Sequence, residues 1–377
     1  MHFLSRLVHR FSTVATSTSN VGSISTDLYK EKDLKRLVDK FKRYSDLERF
    51  RTKTGIYKET VRRLANAKRF RWIEEILEHQ KQYKDVSKEG FSVRLVALYG
   101  QAGMFDNAHR VFKEMRERNC KQTILSFNAL LGACVNSRKF DMVDGLFSDL
   151  PKKLGIEPDQ VSYNTVVKAY CEMGSLDSAI MLLDDMEKKG VEPDRITFNT
   201  LLHAFYMNGR FGAAEMIWER MANRNITPDI RSYNAKLYGL AMEKRTKEAV
   251  ELVEEMRYKT IKPDVFSFNA LIKGFVNEGK LEEAKWWYDE IEKSDCAINK
   301  GTFTILVPLV CEKGDLDFAF ELCKKIFGRR CLVDEELLQL VLDSLVKESK
   351  IEEAKELVEL SKTNDYCRYN LKFSSNE

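Results

Sequence analysis

Apolar positions in this chain fall into short helical stripes that recur at a fixed interval. Between residues 160 and 194, Tyr163, Val166, Val167 and Tyr170 form an i, i+3, i+4, i+7 stripe, and Ala179, Leu182, Leu183 and Met186 form another beyond Gly174. The spacing predicts two helices joined by a tight turn, because glycine accepts the positive φ of a helix end at no steric cost. Gly103, Gly209, Gly279 and Gly314 stand at the same phase. Five positions further on a small residue recurs, as Ala108, Ala179, Ala214, Ala249, Ala284 and Ala319, which lets the paired helices approach closely.

A dipeptide marks the interval. Pro158-Asp159, Pro193-Asp194, Pro228-Asp229 and Pro263-Asp264 lie 35 residues apart. Proline stops the preceding helix and aspartate precedes the next in a cap-like role. With Gln160 as position 1, the units run 54–88, 89–123, 124–159, 160–194, 195–229, 230–264, 265–299 and 300–334, with a partial unit at 335–363. Only 124–159 carries an extra residue, near Lys152-Lys153-Leu154, where two helices are joined. Such a period predicts an all-α stack in which each unit buries its face on its neighbours. Pro308 inside a first helix is expected to kink or shorten it. Of Trp72, Trp218, Trp286 and Trp287 most are expected in the core, although the adjacent pair cannot both point inward.

The ends differ. Residues 1–26 carry Arg6 and Arg10, many Ser and Thr, and no carboxylate, with Phe3, Leu4, Leu7, Val8 and Phe11 on one helical side. That pattern predicts a disordered mitochondrial transit peptide. Residues 27–53 read as one N-terminal capping helix with Leu34, Leu37, Val38 and Phe41 inward, and 364–377 as a C-terminal tail.

Composition then narrows the chemistry. The net charge of +4 neither makes nor excludes a nucleic-acid binder. No apolar run approaches ~18 residues, so no membrane span is expected. The eight cysteines show no metal or disulfide spacing and read as reduced packing residues. His2, His9, His79, His109 and His203 are scattered among units without a nucleophile or carboxylate partner, so neither catalysis nor a metal or other cofactor is expected.

Each ruler aspartate is followed by a near-copy of one phrase: Val161-Ser162-Tyr163-Asn164, Ile196-Thr197-Phe198-Asn199, Arg231-Ser232-Tyr233-Asn234 and Phe266-Ser267-Phe268-Asn269. Position 8 of the first helix holds Leu131, Val167, Leu202, Leu237, Ile272 and Val307, where tetratricopeptide repeats want glycine. The array resembles the pentatricopeptide repeat family over about residues 54–363, in its plain form without the deaminase extension. The resemblance implies a right-handed α-solenoid of helix-turn-helix repeats. Ala67-Lys68-Arg69-Phe70, Glu74-Glu75-Ile76-Leu77-Glu78-His79-Gln80-Lys81 and Lys88-Glu89-Gly90-Phe91 resemble a subgroup of short plant mitochondrial members associated with the small subunit of the mitochondrial ribosome.

In that family single-stranded RNA lies along the first helices, one base per repeat, read by positions 5 and 35. The resemblance implies the pairs Asn128/Asp159, Asn164/Asp194, Asn199/Asp229, Asn234/Asp264, Asn269/Asn299 and Thr304/Asp334, and the target UUUU, then C or U, then G. Lys58/Lys88 and Val93/Thr123 fall outside the code or say little. An amide that both donates and accepts suits an unpaired base edge, whereas the aspartate alone is also explained as a helix cap. Position 2 is implied to sandwich bases through Leu125, Val161, Ile196, Arg231 and Phe266; Gly301 cannot. Position 13, often lysine in the family, is Gln101, Asn136, Glu172, Met207, Met242, Asn277 and Glu312. That weak phosphate grip suits a ribosomal component held partly by protein neighbours. The alternatives are a free transcript-specific factor for RNA stability, processing or translation, and a protein-binding adaptor.

Overall fold

The computed structural model describes residues 21–294, 296–364, 366 and 368–373, and most of the expected leader therefore lies outside the described residues. Every regular element among the described residues is helical, as the stripes require. The chain divides into two compact units, residues 1–169 and 170–377, and the division falls within helix Gln160–Met173.

The first unit holds three hairpins: Thr54–Asn66 with Phe70–His79, Glu89–Gln101 with Phe105–Glu117, and Ile124–Asn136 with Val143–Leu154. The second holds Leu176–Lys188, then Arg195–Met207 with Phe211–Asn223, Ile230–Met242 with Thr246–Tyr258, and Val265–Asn277 with Leu281–Lys293. Lys300–Glu312 with Leu316–Gly328 and Glu335–Lys347 with Ile351–Thr363 complete it. Almost every repeat helix is 13 residues long, which leaves short turns to carry the period. Ala108, Ala179, Ala214, Ala249, Ala284 and Ala319 are all buried. The turns at Gly103, Gly174, Gly209, Gly279 and Gly314 are left-handed, with φ between 69° and 76°. The extra residue of 124–159 is absorbed by Val143–Leu154, which runs through Lys152 and Lys153 and stops at Gly155, φ 64°.

The structure corrects the reading of the N-terminal cap and refines two others. Residues 27–53 are not one capping helix. Val21–Lys30, Leu34–Tyr44 and the single turn Glu48–Arg51 occupy this region, and the first begins inside the segment expected to be disordered. Ile24 and Leu28, four residues apart, are buried, and so are Leu37, Val38 and Phe41, so the two longer helices bury apolar faces much as a repeat does. Pro308 does not shorten its helix: Lys300–Glu312 has the usual 13 residues, because proline removes only the bond to the Thr304 carbonyl. The C-terminal tail is partly packed. Tyr369 and Leu371 are buried, and the Tyr369 hydroxyl meets the Val333 amide at 3.3 Å and its carbonyl at 3.2 Å. The tryptophan pair splits as expected, with Trp287 buried and Trp286 half exposed.

Candidate nucleic-acid interface

The first helices carry a polar register built from three positions. The aspartate at position 35 caps the next helix: Asp194, Asp229 and Asp264 each accept from the backbone within a reciprocal capping box. The partner in each box is the residue at position 3: Thr197, Ser232 and Ser267, all fully buried. Asp159 and Ser162 repeat the geometry at 2.9 Å and 3.2 Å. Where the ruler dipeptide fades, Thr123 with Ser126 and Asn299 with Thr302 still form the box.

Into this cap reaches the position-5 amide. Asn128 Nδ2 donates to Asp159 Oδ1 at 2.9 Å, Asn199 to Asp229 at 3.0 Å and Asn234 to Asp264 at 3.0 Å. The position-3 hydroxyl of the following repeat donates back to the amide oxygen, from Ser162 to Asn128 at 2.6 Å, Ser232 to Asn199 at 2.5 Å and Ser267 to Asn234 at 2.6 Å. Asn269 is held more loosely, 3.2 Å from Asn299 Oδ1, with Thr302 donating to its oxygen at 2.7 Å. Each amide is thus clamped at both ends, half-buried at Asn128, Asn199 and Asn234 and buried at Asn269. It keeps one N–H and one oxygen lone pair, and the clamp fixes which end points where. Asn164 occupies the same position of Gln160–Met173; it lies in the first unit and Asp194 in the second.

Cap and reading pair are therefore one object. A single oxygen, Oδ1, of Asp159, Asp229 or Asp264 serves both the helix N-terminus and the asparagine. Sequence reasoning named the asparagines and aspartates but passed over Ser126, Ser162, Thr197, Ser232, Ser267 and Thr302. Their recurrence as Ser or Thr two residues before the asparagine was the available signal.

One implied pair is not assembled. Thr304 donates to its own helix at the Lys300 carbonyl, 3.0 Å, while Asp334 is taken by the Lys300 ammonium at 2.7 Å and caps nothing. The implied base-sandwiching residues do line the face that carries position 5, three residues away on the same helix side. Leu125, Val161, Ile196 and Phe266 are exposed by 55–63%, which is unusual for large apolar side chains, and Arg231 is exposed among them. Among the described residues no group of three His, Cys, Asp or Glu is placed to hold a metal ion, and no helix is long and apolar enough to cross a membrane. Burial pushes the Cys134 thiol up to about 11 and Cys171 up to about 12, away from thiolate chemistry.

Burial alone would raise the carboxylic pKa of Asp159 and Asp229, but the cap amides and the asparagine amide outweigh it and hold both below their usual value of 3.8. A carboxylate depressed in the folded state contributes stability that is complete above its unfolded pKa and lost as pH falls through the folded one. Thermal unfolding should therefore be flat from pH 8 to about 5 and fall below about 4. The double variant Asp159→Asn/Asp229→Asn should show a shallower acid limb. An identical acid limb in both proteins would mean that these caps carry no linkage.

The fold and register thus define a class: helical-hairpin repeats, four of which present a clamped amide on the first helix. Models of the PPR repeat family match residues 158–206 and 263–312, the pentatricopeptide repeat domain matches 93–137 and 215–278, and the PPR repeat matches 125–153 and 196–226. The chain belongs to the pentatricopeptide repeat family. It is 54% identical over 176 residues to the small ribosomal subunit protein mS79 (rPPR3b) of Arabidopsis thaliana, covering 47% of this chain and 45% of that protein. It is 51% identical over 191 residues to the small ribosomal subunit protein mS78 (rPPR3a) of the same plant, 48% of each. The chain spans about half the length of the curated relatives it matches. Among solved structures, the pentatricopeptide repeat protein PPR10 from maize superposes with a TM-score of 0.54 at 22% identity, over 93% of this chain and 49% of that one. This likeness supports the fold.

Proposed function

We propose that the chain binds single-stranded RNA along its first helices, in mitochondria, as a component of the small ribosomal subunit. The observation that carries the RNA reading is the repeated clamp at Asn128, Asn199, Asn234 and Asn269. A structural cap needs only the aspartate and the hydroxyl. An asparagine immobilised by both, with a donor and an acceptor left over beside an exposed side chain (apolar at Leu125, Ile196 and Phe266, a guanidinium at Arg231), is matched to a base edge with its face stacked. By the family's code the register is UUUU over 124–264, then C or U at Asn269/Asn299. At Thr304/Asp334 the implied G is the least supported position, because the two side chains do not meet and Lys300 pairs with the exposed aspartate.

The small-subunit assignment rests on the likeness to the two Arabidopsis proteins, and the non-catalytic reading on the absence of a nucleophile–base constellation in the sequence. Sedimentation of a mitochondrial lysate tests it. The protein is expected to migrate with intact small subunits. Its confinement to light fractions while small subunits stay intact would leave the free transcript-specific factor as the better account.

A further inference from the structure

Between residues 34 and 73 the chain carries fourteen lysines and arginines against four carboxylates, although its whole net charge is only +4. The remainder is therefore net acidic, and the positive charge is concentrated at the start of the first unit. Four of the fourteen, with Lys30 and Lys32 just before them, lie along one edge. Helix Leu34–Tyr44 runs alongside Phe70–His79 in the same direction: Lys42 Nζ meets Glu75 at 2.8 Å, and Ser45 Oγ accepts from Gln80 at 2.9 Å. Their starting turns consequently share an edge. The Arg63 guanidinium donates to the carbonyls of Leu28, at 3.0 Å, and Glu31, which seats the turn 31–33 beside the second half of helix Thr54–Asn66. That edge presents Lys30, Lys32, Lys35, Lys68, Arg69 and Arg71, all exposed.

Among the described residues none of these six is in an ion pair, and only Arg69 has a ring contact, at 5.4 Å from Trp72. The nearby carboxylates are occupied. Glu31 is held by Lys40 at 2.9 Å, and Asp33 caps its helix at 2.8 Å. Lys68 itself adopts φ 54° at the turn where the next repeat places Gly103. A β-carbon there is unfavourable, so the turn holds a cation where the backbone prefers glycine. The repeat that owns the turn reads no base by the rule above: position 5 is Lys58, and position 3 of the following repeat is the buried Phe91, with no hydroxyl to clamp an amide.

We infer that this edge is a sequence-independent docking surface for the phosphodiester backbone of RNA. It supplies the phosphate grip that the reading repeats lack at position 13, and it does so without touching bases. Unpaired cations spread along an edge suit a polyanion with regularly spaced charges. The inference is separable from base reading, since an RNA duplex offers the edge its phosphates while hiding the base edges the asparagines need.

The test uses the full chain and a 20-base-pair RNA duplex of mixed sequence, with a U-rich single strand as the second probe. The variant Lys32→Gln/Lys35→Gln/Lys68→Gln/Arg69→Gln/Arg71→Gln should bind the duplex at least tenfold more weakly. Its log–log salt slope should be shallower by about 3 or more, given roughly 0.9 per phosphate contact on duplex DNA. It should keep the wild-type preference for U-rich over A-rich strands. Replacing Lys32, Lys35 and Lys68 by Arg should leave duplex binding intact, which excludes a folding artefact. Unchanged duplex affinity and salt slope in the glutamine variant would overturn the inference. So would tighter binding of the wild type to phosphatidylserine vesicles than to the duplex.

Discussion

Replacing Asn128, Asn199 and Asn234 together by alanine is expected to cost about a hundredfold in affinity for a U-rich single strand. Each amide offers one donor and one acceptor, and a net ~1 kcal/mol per lost base contact gives ~3 kcal/mol in all, where 1.4 kcal/mol is tenfold. Far-UV circular dichroism should not change, because Asp159, Asp229 and Asp264 with the position-3 hydroxyls retain the helix cap without the asparagine. Titration of a labelled oligonucleotide against both proteins checks the prediction. Equal affinities would remove these amides from recognition.

The second large effect concerns packing. A β-carbon added at Gly100 would lie 2.5 Å from Ala133 Cα, in the backbone of the neighbouring first helix, which cannot rotate away. Gly100→Ala should therefore destabilise the first unit by roughly 2–3 kcal/mol, in the range of overpacked cores. Gly132→Ala, one residue earlier on that same neighbouring helix, meets open space. There alanine should stabilise by about 0.5–1 kcal/mol through helix propensity. Denaturant midpoints of the two variants should move in opposite directions from wild type. A rise, or no change, for Gly100→Ala would mean that the two first helices are not in backbone contact.

Much of this architecture was legible because a repeated stripe is a redundant signal. The hairpins, the glycine turns, the buried alanines and the aspartate caps each recur several times. The asparagine–aspartate pairing was also legible, though only through the family resemblance, since nothing in a 35-residue period says that position 5 touches position 35. What stayed hidden was direction. Ser162, Ser232 and Ser267 read as filler in a phrase, yet their hydroxyls tie each amide to the next helix start, a contact 33 or 34 residues away in sequence.

Two further misreadings have plain physical causes. Ile24 and Leu28 belong to a buried helical stripe, but Ile24 stands among the serines and threonines of the leader-like segment and Leu28 just beyond it, and composition there outweighed periodicity. The side chains of Thr304 and Asp334 do not meet, because a positional code ignores the reach of other side chains. Lys300, on the first residue of that helix, extends to Asp334 and leaves it exposed and uncapping.

The central claim is that clamped asparagines in successive repeats read successive uracils. The most direct measurement is binding of the full chain to an oligonucleotide carrying UUUUC, compared with the same strand in which all four uracils are replaced by adenine. The account predicts that the adenine strand binds at least thirtyfold more weakly at the same salt concentration, because a purine edge misplaces the donor and acceptor that the clamp has fixed. Equal affinity for the two strands would contradict it.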